Sequence, residues 1–264
     1  MTSSIRIMPV LFAAGILLFC AAFFLRPSSS HSSAAGEHRP VIVELFTSEG
    51  CSSCPPADAL LGHLRQDLAA QQIEVVPLGF RVDYWNSLGW NDRFSSAEFT
   101  RRQEDYIKTM KLDGPYTPQM VVNGEAEFVG NDASQAHSSI THAANQPQTA
   151  EIKISPAADN KLLVQVKTHG ATDGSAVMLA ITEDNLSTKI GAGENNGRTL
   201  HHASVVRTLK EIGKLHGGSF ETAVPLNLEK DWKRNDLRTV VFVQDGPGGR
   251  IEGAASVALP DQLR

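Results

Sequence analysis

The sequence predicts an α/β domain followed by a small all-β antiparallel sandwich domain. Three observations carry that reading. Residues 37–145 alternate short apolar runs with amphipathic stretches of helical period. Residues 150–264 hold short alternating runs and no long helical period. Between them, Asn145 to Thr149, with Pro147, reads as a linker. The 264 residues are 41% hydrophobic, enough for a packed core and against wholesale disorder. With 24 Lys and Arg against 29 Asp and Glu, the net charge is -5. No broad basic field exists to hold a nucleic acid.

Residues 1–36 have the layout of an export signal. Arg6 lies in a short first segment, Val10 to Leu25 is almost wholly apolar, and Ser28 to Gly36 is small and polar. An uncleaved membrane anchor is the alternative, although the apolar run is short for a span. Either way the body of the protein is expected to be periplasmic or secreted. Its only expected membrane contact is this segment, if uncleaved.

Pro40 to Thr47 is a nearly continuous apolar run, interrupted by Glu44, and suits a strand covered on both faces. Ser48-Glu49-Gly50 is a turn. Cys51-Ser52-Ser53-Cys54 and Pro55-Pro56 then precede a helix. There Ala57, Leu60, Leu61, Leu64 and Leu68 form the apolar stripe, and Asp58 falls on the other face. Proline suits the first turn, where amides have no intrahelical acceptor. Ile73 to Val82 is a second strand, and Asp83 to Asp92 an aromatic, polar loop. Ser95-x-x-Glu98 opens a helix reaching about Met110. Gln119 to Val122, the Asn123-Gly124 turn and Glu125 to Val129 make a hairpin. Gly130-Asn131-Asp132 caps a last helix, about Ala133 to Ala144. In the second half, strands are expected at Glu151–Ser155, Leu162–Thr168, Val177–Thr182, Ser219–Val224, Thr239–Gln244 and Ile251–Leu259.

Of 3 cysteines, Cys20 lies in the leader, behind Phe19, which is too large for a lipoprotein acceptor site. That leaves Cys51 and Cys54, between a buried strand and a helix start. There, unpaired amides and the helix dipole favour a thiolate. Cys51, the outer cysteine, would attack a disulfide and Cys54 would resolve the mixed disulfide.

The strand, C-x-x-C, helix order, followed by Thr117-Pro118, a strand, a hairpin and a helix, resembles the thioredoxin superfamily. The resemblance implies a cis Pro118 facing the cysteines and lining a substrate groove, with Thr117 beside it. It also implies a proton-shuttling acid on the preceding strand, near the position of Glu44. The dipeptide Ser52-Ser53 departs from the thioredoxin Gly-Pro, and Gly50 from its Trp. The strings FTSEGCSSCPPAD, VDYWNSLGW, YTPQMVVNG and GENNGRTLHHASVVR resemble the secreted proteobacterial family catalogued as domain of unknown function 1223. That family implies a thioredoxin-like domain with a C-terminal β domain, and no established activity.

The expected function is thiol–disulfide exchange outside the cytoplasm. Protein thiols or disulfides are the substrate, a redox partner protein is expected, and no cofactor or resident metal is needed. Tyr84, Trp85 and Trp90, with Asp83 and Asp92, are candidates for the substrate rim. Core packing of their loop is the alternative. Two other readings stand beside exchange. One is a non-catalytic envelope binding module with an inert disulfide. The other is a copper(I) carrier, with His201-His202 adding a donor to the thiolates. For Glu44 the alternative is a carboxylate that simply bonds a neighbouring backbone group or an arginine.

Overall fold

The computed structural model describes residues 1–2 and 39–260. The expected export segment, with Cys20, lies outside the described residues. Among those described, no helix is long and apolar enough to cross a membrane.

The elements of the first half are β1 (Val41–Thr47), α1 (Pro55–Ala69), β2 (Val75–Arg81), α2 (Ala97–Met110), β3 (Gln119–Val122), β4 (Ala126–Val129) and α3 (Ala133–Ala144). Each follows from local chemistry. Prolines open α1. Ser96, rather than Ser95, caps α2, its hydroxyl accepting from Glu98 N–H at 3.1 Å. Asp132 caps α3 through Gln135 N–H. Asn123 and Gly124 both take positive φ, at 45° and 68°, as a tight hairpin turn requires.

The second half is all strand apart from one short 3-10 turn. It holds β5 (Ala150–Ala157), β6 (Lys161–Thr168), β7 (Ala176–Glu183), β8 (Leu186–Lys189) and β9 (Thr199–His202). These are followed by β10 (Val205–Lys214), β11 (Ser219–Pro225), β12 (Leu237–Gln244) and β13 (Ile251–Ala258). The sequence places these strands in a sandwich of their own, and here the structure differs. One eight-stranded sheet, ordered β13-β12-β7-β10-β2-β1-β3-β4, runs through both halves. The joint is β10 on β2, in parallel, with Val205 opposite Gly79. Gly79 N–H donates to Ser204 O at 2.8 Å. A Cβ at Gly79 would stand 3.2 Å from Ala203 O, so the close approach calls for glycine.

Alternation along the strands gives this sheet two buried faces. On one, α2 packs Phe99 and Tyr106 against Ile42, Phe46 and Phe80 of the first half, and Ala180, Val240 and Phe242 of the second. On the other, α1 and α3 cover Val41, Val43 and Leu45. The same side of β7 and β12, through Leu179, Ile181, Val241 and Val243, is covered by the three-stranded sheet β11-β6-β5. The result is a mixed α/β structure with one large central sheet and three α-helices among the described residues. The hairpin β8–β9 stands apart from both sheets and against α1.

Candidate functional site

Cys51 and Cys54 form a disulfide at the N-terminal end of α1, and neither has exposed surface. Cys54 occupies the cap position, and its carbonyl accepts from Ala57 and Asp58 N–H. The Thr117–Pro118 peptide is cis. Pro118 lies by this end of the helix. A Cβ placed on Gly130 would sit 3.1 Å from Pro118 Cβ and 3.3 Å from Ala57 Cβ. So Thr117 and Pro118 lie by the end of α1 that carries Cys51 and Cys54.

The aromatic loop joins them in part. Trp85 Nε1 donates to Thr117 Oγ1 at 2.9 Å, and Trp85 Cβ packs on Gly50. Trp90 Nε1 donates to Glu49 Oε2 at 2.8 Å. Tyr84 donates to Gln103 Oε1 on α2 and also meets the Thr117 side chain, and burial pushes its phenol up to about 12. Asp83 accepts from Thr100 Oγ1 on α2. Asp92 is buried and accepts from Glu49 N–H and Phe94 N–H, so it holds the loop from within.

Glu44 lies on the α2 face of the sheet, between Val43 and Leu45, which face α1 and α3. Its carboxylate takes Arg102 Nε at 2.5 Å and Nη2 at 2.8 Å, and Tyr106 Oη at 2.6 Å. Its hydrogen-bond partners are thus on α2, and no bond from it reaches the cysteines.

A different set of buried ionisable groups lies beside the disulfide. Asp58 is buried, although the helical wheel puts it on the outer face of α1. One oxygen accepts from Thr47 Oγ1 at 3.1 Å, and the other pairs with Arg81 Nη2 at 3.0 Å. Arg81 Nη2 also lies 2.9 Å from His202 Nδ1. A guanidinium only donates, so Nδ1 accepts and Nε2 carries the hydrogen. Nε2 then donates to Glu49 Oε1 at 2.9 Å. The chain Thr47–Asp58–Arg81–His202–Glu49–Trp90 is therefore continuous, and its ring is a neutral imidazole. His201 is exposed, since neighbours on β9 point to opposite sides. Both nitrogens of His202 are engaged. Among the described residues no group of three or more His, Cys, Asp or Glu is placed to hold a metal.

The loop Gly191–Gly197 closes the site from the second half. Asn195 is fully buried, and its Nδ2 donates to Glu49 O and Cys51 O, each at 2.9 Å. Glu194 Oε2 accepts from Ser52 N–H at 3.1 Å, and these bonds with Ser52 hold its carboxyl below its usual value. Sequence reasoning gave no role to Arg81, Asp58, Glu49, Glu194 or Asn195. The available signal was Arg81, a charge at the end of a strand that reads as buried throughout.

Glu49 makes the site acid-sensitive. Burial pushes its carboxyl up, but the hydrogen bonds from His202 and Trp90 outweigh this and leave it below its ordinary 4.5. A carboxylate lowered on folding adds stability above its unfolded value, and that part is lost as pH falls through the folded value. Asp92 works the other way. Burial, partly offset by Arg81, raises it, so its contribution is lost as pH rises. In urea denaturation across pH, the stability difference between the protein and Glu49→Gln is expected to narrow below about pH 4.5.

A family model described as "Protein of unknown function (DUF1223)" matches residues 42–244, which span all four strings that meet at the disulfide. A crystal structure of a protein from Agrobacterium tumefaciens is 27% identical, with a TM-score of 0.64 over 84% of this chain and 95% of that one. No curated protein matches. The chain belongs to the DUF1223 family of proteins of unknown function.

Proposed function

We propose that the protein is a thiol–disulfide oxidoreductase of thioredoxin-like build, acting on protein thiols outside the cytoplasm. The observation that carries this is the Cys51–Cys54 disulfide at the start of α1, with cis-Pro118 against the same helix end. A helix N-terminus stabilises the thiolate that exchange must release. The buried chain through Arg81 and His202 supports the reading. Asp58 and Arg81 are a buried ion pair beside the disulfide, and taking such a pair out of water is costly.

In the oxidised state a substrate thiolate attacks Cys51 Sγ, and Cys54 leaves as a thiolate. The second substrate thiolate then attacks the substrate sulfur and releases Cys51. The substrate gains a disulfide, and the protein gains two electrons. Leu88 and Val129, both large, apolar and exposed, suit a polypeptide substrate. Leu88 closes a turn on Trp85, and Val129 lies opposite Gln119, next to Pro118.

Complete burial of both sulfurs favours a second reading, an inert disulfide in a binding module. The two separate cleanly. Oxidised protein mixed with a reduced, unfolded disulfide protein is expected to pass on its disulfide, and Cys51→Ser to pass on none. Equal oxidation with and without the protein would contradict exchange and leave the binding module.

A further inference from the structure

An attacking thiolate must reach one sulfur of a disulfide. Here neither Cys51 nor Cys54 has exposed surface, and the backbone beside them is occupied from the second half. The occupant is the loop Gly191–Gly197, between β8 and β9. Its neck is held by Ile190 N–H on Arg198 O and Gly197 N–H on Ile190 O. Within it, Asn196 N–H donates to Gly193 O, and Arg198 N–H to Asn195 O. The loop is therefore braced internally.

Its grip on the disulfide turn is polar. Asn195 Nδ2 donates to Glu49 O and Cys51 O, while its Oδ1 accepts from Arg198 Nη1 at 2.9 Å, which fixes the amide orientation. Glu194 takes Ser52 N–H. Gly193, at φ +72°, lies flat on the aromatic loop, where a Cβ would stand 3.2 Å from Trp90 Cβ. From Gly191 to Gly197 the loop carries no side chain larger than Glu194 and no apolar one beyond Ala192. A segment held by a few hydrogen bonds, and by little apolar burial, opens far more readily than the fold unfolds.

We propose that Gly191–Gly197 is a lid on the Cys51–Cys54 bond, that Asn195 is its latch, and that a thiol reaches the bond only with the lid open. The lid serves the exchange proposed above and rests on that reading.

The test is reduction of the folded, oxidised protein by tris(2-carboxyethyl)phosphine, with freed thiols counted by alkylation. One phosphine and one water yield the phosphine oxide and two thiols, so no protein substrate is involved. Asn195→Asp keeps the side-chain size and loses both donated bonds. It is expected to speed reduction roughly thirty-fold, the factor for two hydrogen bonds. Gly193→Val, which pushes the loop off Trp90 and removes no hydrogen-bonding side chain, is expected to act in the same direction. Hydrogen exchange is expected to rise only around residues 186–202. Reduction of the unchanged protein as fast as that of a short Cys-Ser-Ser-Cys peptide would overturn the lid. So would both variants at the unchanged rate, or faster reduction with protection lost throughout. Faster reduction in the variants, with no disulfide passed to a protein by any form, would keep the lid and remove exchange.

Discussion

Arg102→Ala is expected to cost about 3–5 kcal/mol of stability in urea denaturation, as removal of one partner of a buried ion pair does. Glu44 has no exposed surface, and Arg102 supplies two of its three hydrogen bonds. Without it a carboxylate is stranded between β1 and α2. The guanidinium also reaches Gln244 on β12, so its loss loosens α2 from both halves of the sheet. Burial works against the Arg102 charge, but Glu44 beside it outweighs burial and holds the proton more firmly than in water. Glu44→Gln combined with Arg102→Met removes both charges at once, and is expected to cost less than the two single changes summed.

Arg81→Ala is expected to cost a similar amount, about 3–5 kcal/mol, for the same reason on the opposite side of the sheet. Asp58 would keep only Thr47, and His202 Nδ1 would lose its donor. The two arginines part company in what else they affect. Arg102 has no bond to the residues around the disulfide. Arg81 is bonded, through His202, to Glu49, whose own carbonyl is held by Asn195. Arg81→Ala is therefore expected to speed phosphine reduction of the disulfide at equal residual stability, and Arg102→Ala to leave that rate unchanged. Equal effects of the two on the rate would contradict a site-specific role for Arg81.

The contrast between the halves shows what a sequence can carry. In the first half every element is legible, because its signals are local. Proline opens α1, Asn123-Gly124 turns the hairpin, and apolar residues recur at helical spacing. In the second half β10 escapes notice. Its buried positions are interrupted by Arg207, Lys210 and Glu211, and its pairing with β7 shifts register twice. That strand is what joins the halves, so the continuity of the sheet escapes with it. The hairpin β8–β9 is too short, at four residues a strand, to show a period.

The site divides the same way. Cys51, Cys54 and Pro118 lie in short motifs and are found directly. Glu44 stands out in the sequence because it interrupts an apolar run, and such a residue marks burial without saying which face it serves. Asp58 misleads because a helical wheel sees only its own helix. Its partner Arg81 is 23 residues on, and His202 is 121 beyond that. Asn195 meets Cys51 across 144 residues, a pairing no local pattern encodes.

The central claim is that Cys51–Cys54 exchanges with protein thiols, and covalent trapping tests it most directly. Cys54→Ser, expressed in cells and alkylated at lysis, should carry partner proteins on Cys51 as mixed disulfides that reductant releases, because the resolving thiol is gone. Cys51→Ser should carry none. Partners trapped equally by both variants, or by neither, would contradict the account.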